Sequence, residues 1–566
     1  MRDTPRVGPI SRRTFLALAA TVVAGACSGS DDDASSSATT GSGPDDSTTD
    51  PSELDVATST ADDAAPTTDA GSATTATAAE PPTAEYDGTT DPFVLGVASG
   101  DPLPDSVVLW TRLIAGDGES LTGERSVKLE ISTDDDPSDI RSSWHRTNAE
   151  SAYTVHAVVS GLDPDRWYTY RFRSGGFASI VGRTRTAPAA DASVDQVVIG
   201  AASCQHYEDG FYAAHRDVAA AGLDLLIWLG DYIYEGGPGV LGEGGAVRLH
   251  DAPEPTTLDE YRARYALYKQ DPALQAAHAS CPWLVTWDDH EVDNNYAGVA
   301  GQDGDDLSLR RATAYRAWWE HTPTRLPPPA ATGPFTIYRP QRWGTLLDVS
   351  LLDTRQYRSD QTCGDVALRV EPPCLETFLP ERTMLGDEQE AWLADRFGRQ
   401  GTIWNVLAQQ VIMSDARLDG AVLNFDQWDG YPVARDRLLS MIAEQAVENV
   451  VVLTGDIHFA GVGNLVDPAA PETPATERRT LGAEFVCTSI SSGGLIPAAA
   501  VDLVRSLPSI VDVELVHRGW TKHIVTPTSW IADHRIVADP ADPESPSSTY
   551  RRFVVDVGTP GARPEA

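Results

Sequence analysis

Short apolar runs stop abruptly at glycine, acidic or imidazole residues in the later two-thirds of the chain. Leu225 to Leu229 ends at Gly230-Asp231 and is followed at once by Tyr232, Tyr234 and Glu235. A run of about five apolar residues closed by glycine predicts a buried strand with an open C-terminal end. Three more endings have this character: Ala202-Ser203-Cys204-Gln205, Thr286-Trp287-Asp288-Asp289-His290-Glu291 and Thr454-Gly455-Asp456-Ile457-His458. Strand patterns fall at Val197 to Gly200, Leu223 to Leu229, Trp283 to Trp287, Ile403 to Leu407, Val450 to Leu453 and Glu484 to Val486. Helical spacing lies between them at Asp209 to Ala221, Leu307 to Glu320, Asp387 to Phe397 and Val433 to Ala446. Such alternation predicts an α/β body with a sheet covered on both sides. In sheets of this kind ligands bind beyond the carboxyl ends of the strands, where the four polar endings lie. The Trp318-Trp319 pair on the second helix reads as core.

Before residue 189 the period is two. Phe93 to Val97, Ser106 to Trp110, Val127 to Ile131, Tyr153 to Val159 and Trp167 to Phe172 are separated by turn residues at the spacing of a sandwich. Residues 86–188 are therefore expected to form an all-β, immunoglobulin-like domain acting as scaffold or lid, and residues 189–566 the catalytic domain. From Ser28 to Glu85 the composition falls to Ser, Thr, Ala, Asp, Gly and Pro, with no aromatic residue between Phe15 and Tyr86. That stretch cannot bury enough apolar surface to offset its ordering entropy and reads as a disordered linker. Residues 1–27 read as an address. Ser11-Arg12-Arg13-Thr14-Phe15-Leu16 and the apolar run behind it form a twin-arginine signal, which implies the twin-arginine export machinery as a partner. Ala24-Gly25-Ala26-Cys27 resembles a lipoprotein cleavage box, with Ala24 where leucine is usual, and implies a lipid anchor at Cys27. The expected location is extracytoplasmic, at the cell surface if Cys27 is lipidated.

The formal charge of −40 argues against a surface that binds nucleic-acid phosphates, since that affinity comes from Lys and Arg. An anionic substrate then requires local positive charge. Six cysteines stand at 27, 204, 281, 363, 374 and 487. Cys363 and Cys374 flank a short loop containing Gly and Pro and are the expected bridge. Cys204, at a strand end, is the candidate thiolate metal ligand. A thiolate with a phenolate such as Tyr234 suits ferric iron, and carboxylates suit calcium or magnesium. Asp456 and His458, two apart, point the same way from an extended segment. Arg355 offers a fork-shaped donor that matches a phosphoryl group, with a surface salt bridge as the rival reading.

Taken together, SGDP at Ser99, ASCQ at Ala202, GDYIYE at Gly230, WDDHEVDNNY at Trp287, LDTRQYRSDQ at Leu352, LAQQ at Leu407, WDGYP at Trp428, GDIHFAG at Gly455 and TSISSGG at Thr488 resemble the alkaline phosphatase D (PhoD) family, related to calcineurin-like metallophosphoesterases. The resemblance implies an α/β metallophosphoesterase-like sandwich behind the β domain. It also implies an exported phosphatase or phosphodiesterase that works by metal-assisted in-line displacement at alkaline pH. The superfamily usually opens with Asp-x-His at the first strand, whereas this chain has Ser203-Cys204-Gln205, the form that goes with a cysteine-ligated iron and calcium centre. By position, Cys204, Tyr234, Asp231 and His458 would hold Fe(3+), with Asp231 bridging to Ca(2+) that also engages Asp289 and Asp456. Asn294 and Arg355 would contact substrate oxygens, and His290 would assist near the leaving group. Two alternatives stand beside this reading: a phospholipase D-type or cell-wall polymer phosphodiesterase, and a surface binding protein with an inactive catalytic body.

Overall fold

The computed structural model describes residues 83–240, 246–364, 372–399, 401–469, 471 and 473–565; the segment expected to be an export signal, Cys27 and the expected linker up to residue 82 lie outside the described residues. The expected apolar runs are strands. Leu225–Leu229 is buried throughout and runs parallel to Val197–Ala202 and Trp283–Thr286, with Ile227 opposite Ala201 and Leu284. A strand covered on both faces has no polar side, which is why the run is continuously apolar.

The single covered sheet read from periodicity is, among the described residues of the α/β body, a pair of sheets, the sandwich that the family resemblance implies. Among the described residues one sheet has ten strands, in spatial order Thr559–Pro564, Ser547–Asp556, Ser529–Val537, Arg518–Val525, Val197–Ala202, Leu225–Leu229, Trp283–Thr286, Val97–Leu103, Ser106–Arg112 and Thr154–Ser160. The other has seven: Arg339–Trp343, Leu347–Leu351, Trp404–Ala408, Val450–Thr454, Thr480–Val486, Ala460–Val466 and Ile510–Glu514. Each contains a parallel set, and two parallel sets look identical along a sequence, so apolar pattern could not divide them. The sheets pack face to face through Ile199, Ile227 and Leu229 of one and Val349, Val406, Val451 and Phe485 of the other.

Helices cover the outer faces. Ala213–Ala220, Leu258–Lys269, Pro272–His278 and Ser308–His321 pack on the ten-stranded sheet, and Trp318 is fully buried there. Gly386–Gly398 and Pro432–Glu444 pack on the seven-stranded sheet. Leu258–Lys269 was missed from the pattern although it carries two signals. Thr257 and Glu260 form a capping box, and Tyr261, Tyr265 and Tyr268 make a buried stripe at helical spacing. No helix among the described residues is long and apolar enough to cross a membrane.

The strand expected at Phe93 to Val97 begins instead at Val97, because Gly96 takes a φ of +70° and its N–H closes a turn onto the Phe93 carbonyl at 2.9 Å. Val97–Leu103, Ser106–Arg112 and Thr154–Ser160 extend the ten-stranded sheet. Arg125–Thr133, Arg141–Thr147 and Trp167–Ser174 belong to a separate five-stranded sheet. Val107, Leu109, Leu129, Tyr170 and Phe172 fill the space between them, so the β sandwich shares one of its sheets with the α/β body.

Cys363 and Cys374 form a disulfide, and Cys204, Cys281 and Cys487 are buried free thiols. The parallel strands of both sheets end on one side of the molecule. An isolated parallel bridge from Ser203 to Ser489 joins the two sheets at that end.

Candidate metal centre

Each chemistry-bearing segment follows a parallel strand, and the backbone is twisted there to turn side chains inward. Cys204, Asp231, Asp456 and His458 all adopt left-handed φ values, +59°, +56°, +63° and +60°. Non-glycine residues in this region store strain, and such strain clusters at functional sites. Gly230 permits the turn before Asp231: its φ is +107°, and a Cβ would lie 2.4 Å from that of Asp288.

The side chains converge in three groups that overlap at Asp231 and Asp289. Ligand atoms of Cys204, Asp231 and His458 lie within 4.8 Å of one another, as do those of Asp288, Asp289 and Asp456, and those of Asp231, Asp289 and His290. Tyr234 closes the first group. Its hydroxyl donates to Asp231 Oδ2 at 3.1 Å, lies 3.0 Å from His458 Nε2 and accepts from Ser492 Oγ at 2.8 Å. His458 Nδ1 faces the Gly493 carbonyl at 2.6 Å, which places its proton there and turns the Nε2 lone pair toward the Tyr234 hydroxyl and the ligand group. The Cys204 thiol lies 3.1 Å from Ser203 Oγ.

This donor set fits a metal pair. Asp231 Oδ1 and Asp288 Oδ2 are buried with no hydrogen-bond partner among the described residues, and Asp289 Oδ1 faces only Arg355, at 3.2 Å. Buried carboxylate oxygens without partners are costly unless a cation satisfies them. Burial, followed by Asp289, pushes the Asp231 carboxyl well above its usual range. Burial and then Asp231 do the same to the thiol of Cys204 and the phenol of Tyr234. Bound cations reverse that preference and favour the deprotonated ligands. One group offers S, O and N donors and the other only oxygen, the division expected of a softer and a harder ion.

Arg355 is buried, which sets aside the surface salt bridge as its role. Its guanidinium is bonded to Asp288, to Asp426 at 2.8 and 2.9 Å and to Asp456 at 2.8 Å. His290 Nδ1 lies 2.8 Å from Glu235 Oε2, and its ring stacks on Tyr234 with centroids 4.1 Å apart. Burial opposes its protonation, but Glu235, Asp289 and Asp231 outweigh that and raise it well above an ordinary histidine. The Asn294 backbone N–H is held by Glu235 at 2.9 Å, and the Asn295 N–H donates to Asp289 Oδ2 at 2.6 Å.

Several residues of the network were given no individual role from sequence, although Asp288 and Glu291 lie in one of the polar strand endings: Asp288, Glu291, Asp426, Gln427 and Ser492. Glu291 accepts from the N–H groups of Asp231, Tyr232 and Asp288 at 3.1, 2.7 and 2.9 Å, and so ties together two strand ends that carry ligands. His206, Glu208 and His250 form a further close group. Glu208 accepts from Gly239 N and His250 N, and His250 Nε2 meets Tyr268 Oη at 3.0 Å. Tyr268 Oη in turn accepts from Tyr234 N at 3.1 Å. This network braces Tyr234.

Comparison with known proteins decides the family. The profile of the PhoD-like phosphatases matches residues 198–533, and that of the PhoD-like phosphatase N-terminal domain matches residues 74–188. The chain belongs to the PhoD-like phosphatase family. Alkaline phosphatase D of Bacillus subtilis (strain 168) is 41% identical over 485 residues, spanning 83% of this chain and 82% of that protein. The solved structure of PhoD superposes with a TM-score of 0.80 at 41% identity, covering 85% of this chain and 93% of that one. Purple acid phosphatase PPD1 from yellow lupin seeds shares the fold alone, with a TM-score of 0.50 at 11% identity over 81% of this chain and 73% of its own. As a PhoD-like phosphatase, the protein is a metal-dependent phosphoesterase. The reading of an inactive surface binding protein is thereby set aside.

Proposed function

We propose that the protein is an alkaline phosphatase/phosphodiesterase whose centre holds Fe(3+) through Cys204, Asp231, Tyr234 and His458 and Ca(2+) through Asp231, Asp289 and Asp456. The observation that carries this reading is the meeting of a thiol, a phenol, an imidazole and a carboxylate beside an all-oxygen group whose buried atoms lack partners. Held by these residues, the ions would supply Lewis-acid neutralisation of phosphoryl charge and activation of the attacking oxygen. They also let an acidic protein accept an anionic substrate.

The chain's own residues do the rest. Glu235 fixes the His290 ring through Nδ1 and leaves Nε2 to hold a proton near the leaving oxygen. Asp426 and Asp288 orient the Arg355 guanidinium, and Asn294, whose Nδ2 donates to Gln302 Oε1, is the second proposed contact for phosphoryl oxygens. Ser492 and the Tyr268 network keep Tyr234 facing His458. Export by the twin-arginine route, with a lipid at Cys27, completes the reading.

The test is phosphate release from a monoester and alcohol release from a diester by protein stripped with chelator and reloaded with iron, calcium or both. Full activity with both ions, and a loss of at least a hundredfold in Cys204→Ala, is expected. Equal activity with zinc alone, or an unaffected Cys204→Ala, contradicts the assignment.

A further inference from the structure

A buried guanidinium stands behind the sulfur-and-phenol side of the centre with no carboxylate of its own. Arg518 opens the strand Arg518–Val525, which runs antiparallel to Val197–Ala202, the strand that leads to Cys204. It is only 6% exposed, and among the described residues Glu514 and Asp209 act on it through space without an ion pair. Its Nη1 donates to the His458 carbonyl and lies 3.5 Å from Ser489 Oγ, while Nη2 donates to the Val516 carbonyl at 3.3 Å. A Cβ on Gly494 would come 2.6 Å from Nη2, so the chain lies directly against the guanidinium there. The loop so held is the one that serves the ligands. Its Gly493 carbonyl faces His458 Nδ1, its Ser492 Oγ reaches the Tyr234 hydroxyl, and its Ser489 carbonyl accepts from Gly519 N at 2.8 Å.

Neutral carbonyls do not call for a permanent charge, and a buried guanidinium without a counter-charge is costly. Arg355 has its carboxylates: Asp288, Asp289, Asp426 and Asp456 surround it. The anionic groups left for Arg518 are the thiolate and phenolate that Cys204 and Tyr234 become when they hold a cation, and both residues act on it through space. We propose that Arg518 is a positioning residue of the metal centre: its fork shapes the loop behind His458, and its fixed charge balances the Cys204–Tyr234 pair and raises the reduction potential of iron held there. The inference rests on the iron reading and deepens it. Two anionic ligands favour the ferric ion, and a nearby positive charge opposes part of that preference.

The test is one-electron reduction of the iron- and calcium-loaded protein at an electrode, followed through its visible charge-transfer band. Arg518→Met keeps the bulk and loses the charge. At the parent's midpoint potential its ratio of ferric to ferrous ion is expected to rise about tenfold or more. Arg518→Lys keeps the charge without the fork and is expected to stay within about threefold of the parent. Glu514→Gln removes an acid that opposes the Arg518 charge and is expected to move the ratio the other way, a second reading that stands even if Arg518→Met does not fold. Equal shifts in Arg518→Lys and Arg518→Met, an unmoved ratio in Arg518→Met, or a Glu514→Gln that fails to favour the ferrous ion overturns the proposal. A parent protein that holds no iron, or holds it without a charge-transfer band, instead overturns the iron reading beneath it.

Discussion

Replacing Glu291 by alanine removes one carboxylate that holds two ligand-bearing strand ends in place. Three buried N–H groups, those of Asp231, Tyr232 and Asp288, lose their acceptor. Each orphaned donor costs about 1–3 kcal/mol, or about 5 kcal/mol for the three. Part of that is returned. Burial, opposed by these same N–H groups, pushes the Glu291 carboxyl up to about 7, which corresponds to about 3 kcal/mol against its ionised form. Glu291→Ala is therefore expected to lose roughly 2–3 kcal/mol of stability. Glu291→Gln loses less, because an amide oxygen turned toward Asp231 and Asp288 leaves only the Tyr232 N–H unmet. The assay combines urea unfolding of the metal-stripped protein with calorimetric titration of calcium. Relaxed loops carrying Asp231 and Asp289 are expected to weaken calcium binding at least tenfold in Glu291→Ala, with partial recovery in Glu291→Gln. Unchanged calcium affinity in a destabilised Glu291→Ala refutes the reasoning, because it makes the carboxylate a stabiliser with no hold on the ligands.

Two further perturbations probe the frame around the centre. Gly230→Ala forces a side chain into a left-handed turn against Asp288 and is expected to cost roughly 2–4 kcal/mol and most of the activity; urea unfolding and kcat on one ester check both. Lys269 is buried over the faces of Trp110 and Tyr232 at 4.3 and 5.1 Å, with no ion pair among the described residues, and burial pushes its ammonium down to about 7. Its folded pKa is depressed, so stability present above pH 10.5 is lost as pH falls toward 7, by about 1.4 kcal/mol per pH unit. Lys269→Met should match the parent near pH 10.5 and unfold at progressively higher urea than the parent as pH falls to 7; parallel pH profiles contradict this.

The ends of strands were legible because an apolar run that stops at Gly-Asp or Asp-Asp-His sets ligand-type side chains at the open end of a buried strand. The partition of strands between two sheets was not legible, since Leu225–Leu229 and Val450–Thr454 have the same character and only packing separates them. The strand Leu347–Leu351 and the antiparallel strands after Arg518 were also missed. Trp520, Lys522 and His523 mix polar with apolar positions, and the sheet buries most of them. Within the centre, Cys204, Tyr234 and His458 announced themselves by residue type. Glu291 and Asp426 did not, because the contacts that tie Glu291 to the Asp231 loop and Asp426 to Arg355 span 60 and 71 residues.

The most direct test of the account is elemental analysis of the purified protein together with its visible absorption spectrum. Iron bound stoichiometrically with calcium, and a charge-transfer band that disappears in Tyr234→Phe, is the predicted result. Zinc or manganese in place of iron, with no band to lose, contradicts the thiolate–phenolate centre and requires an ordinary two-metal site.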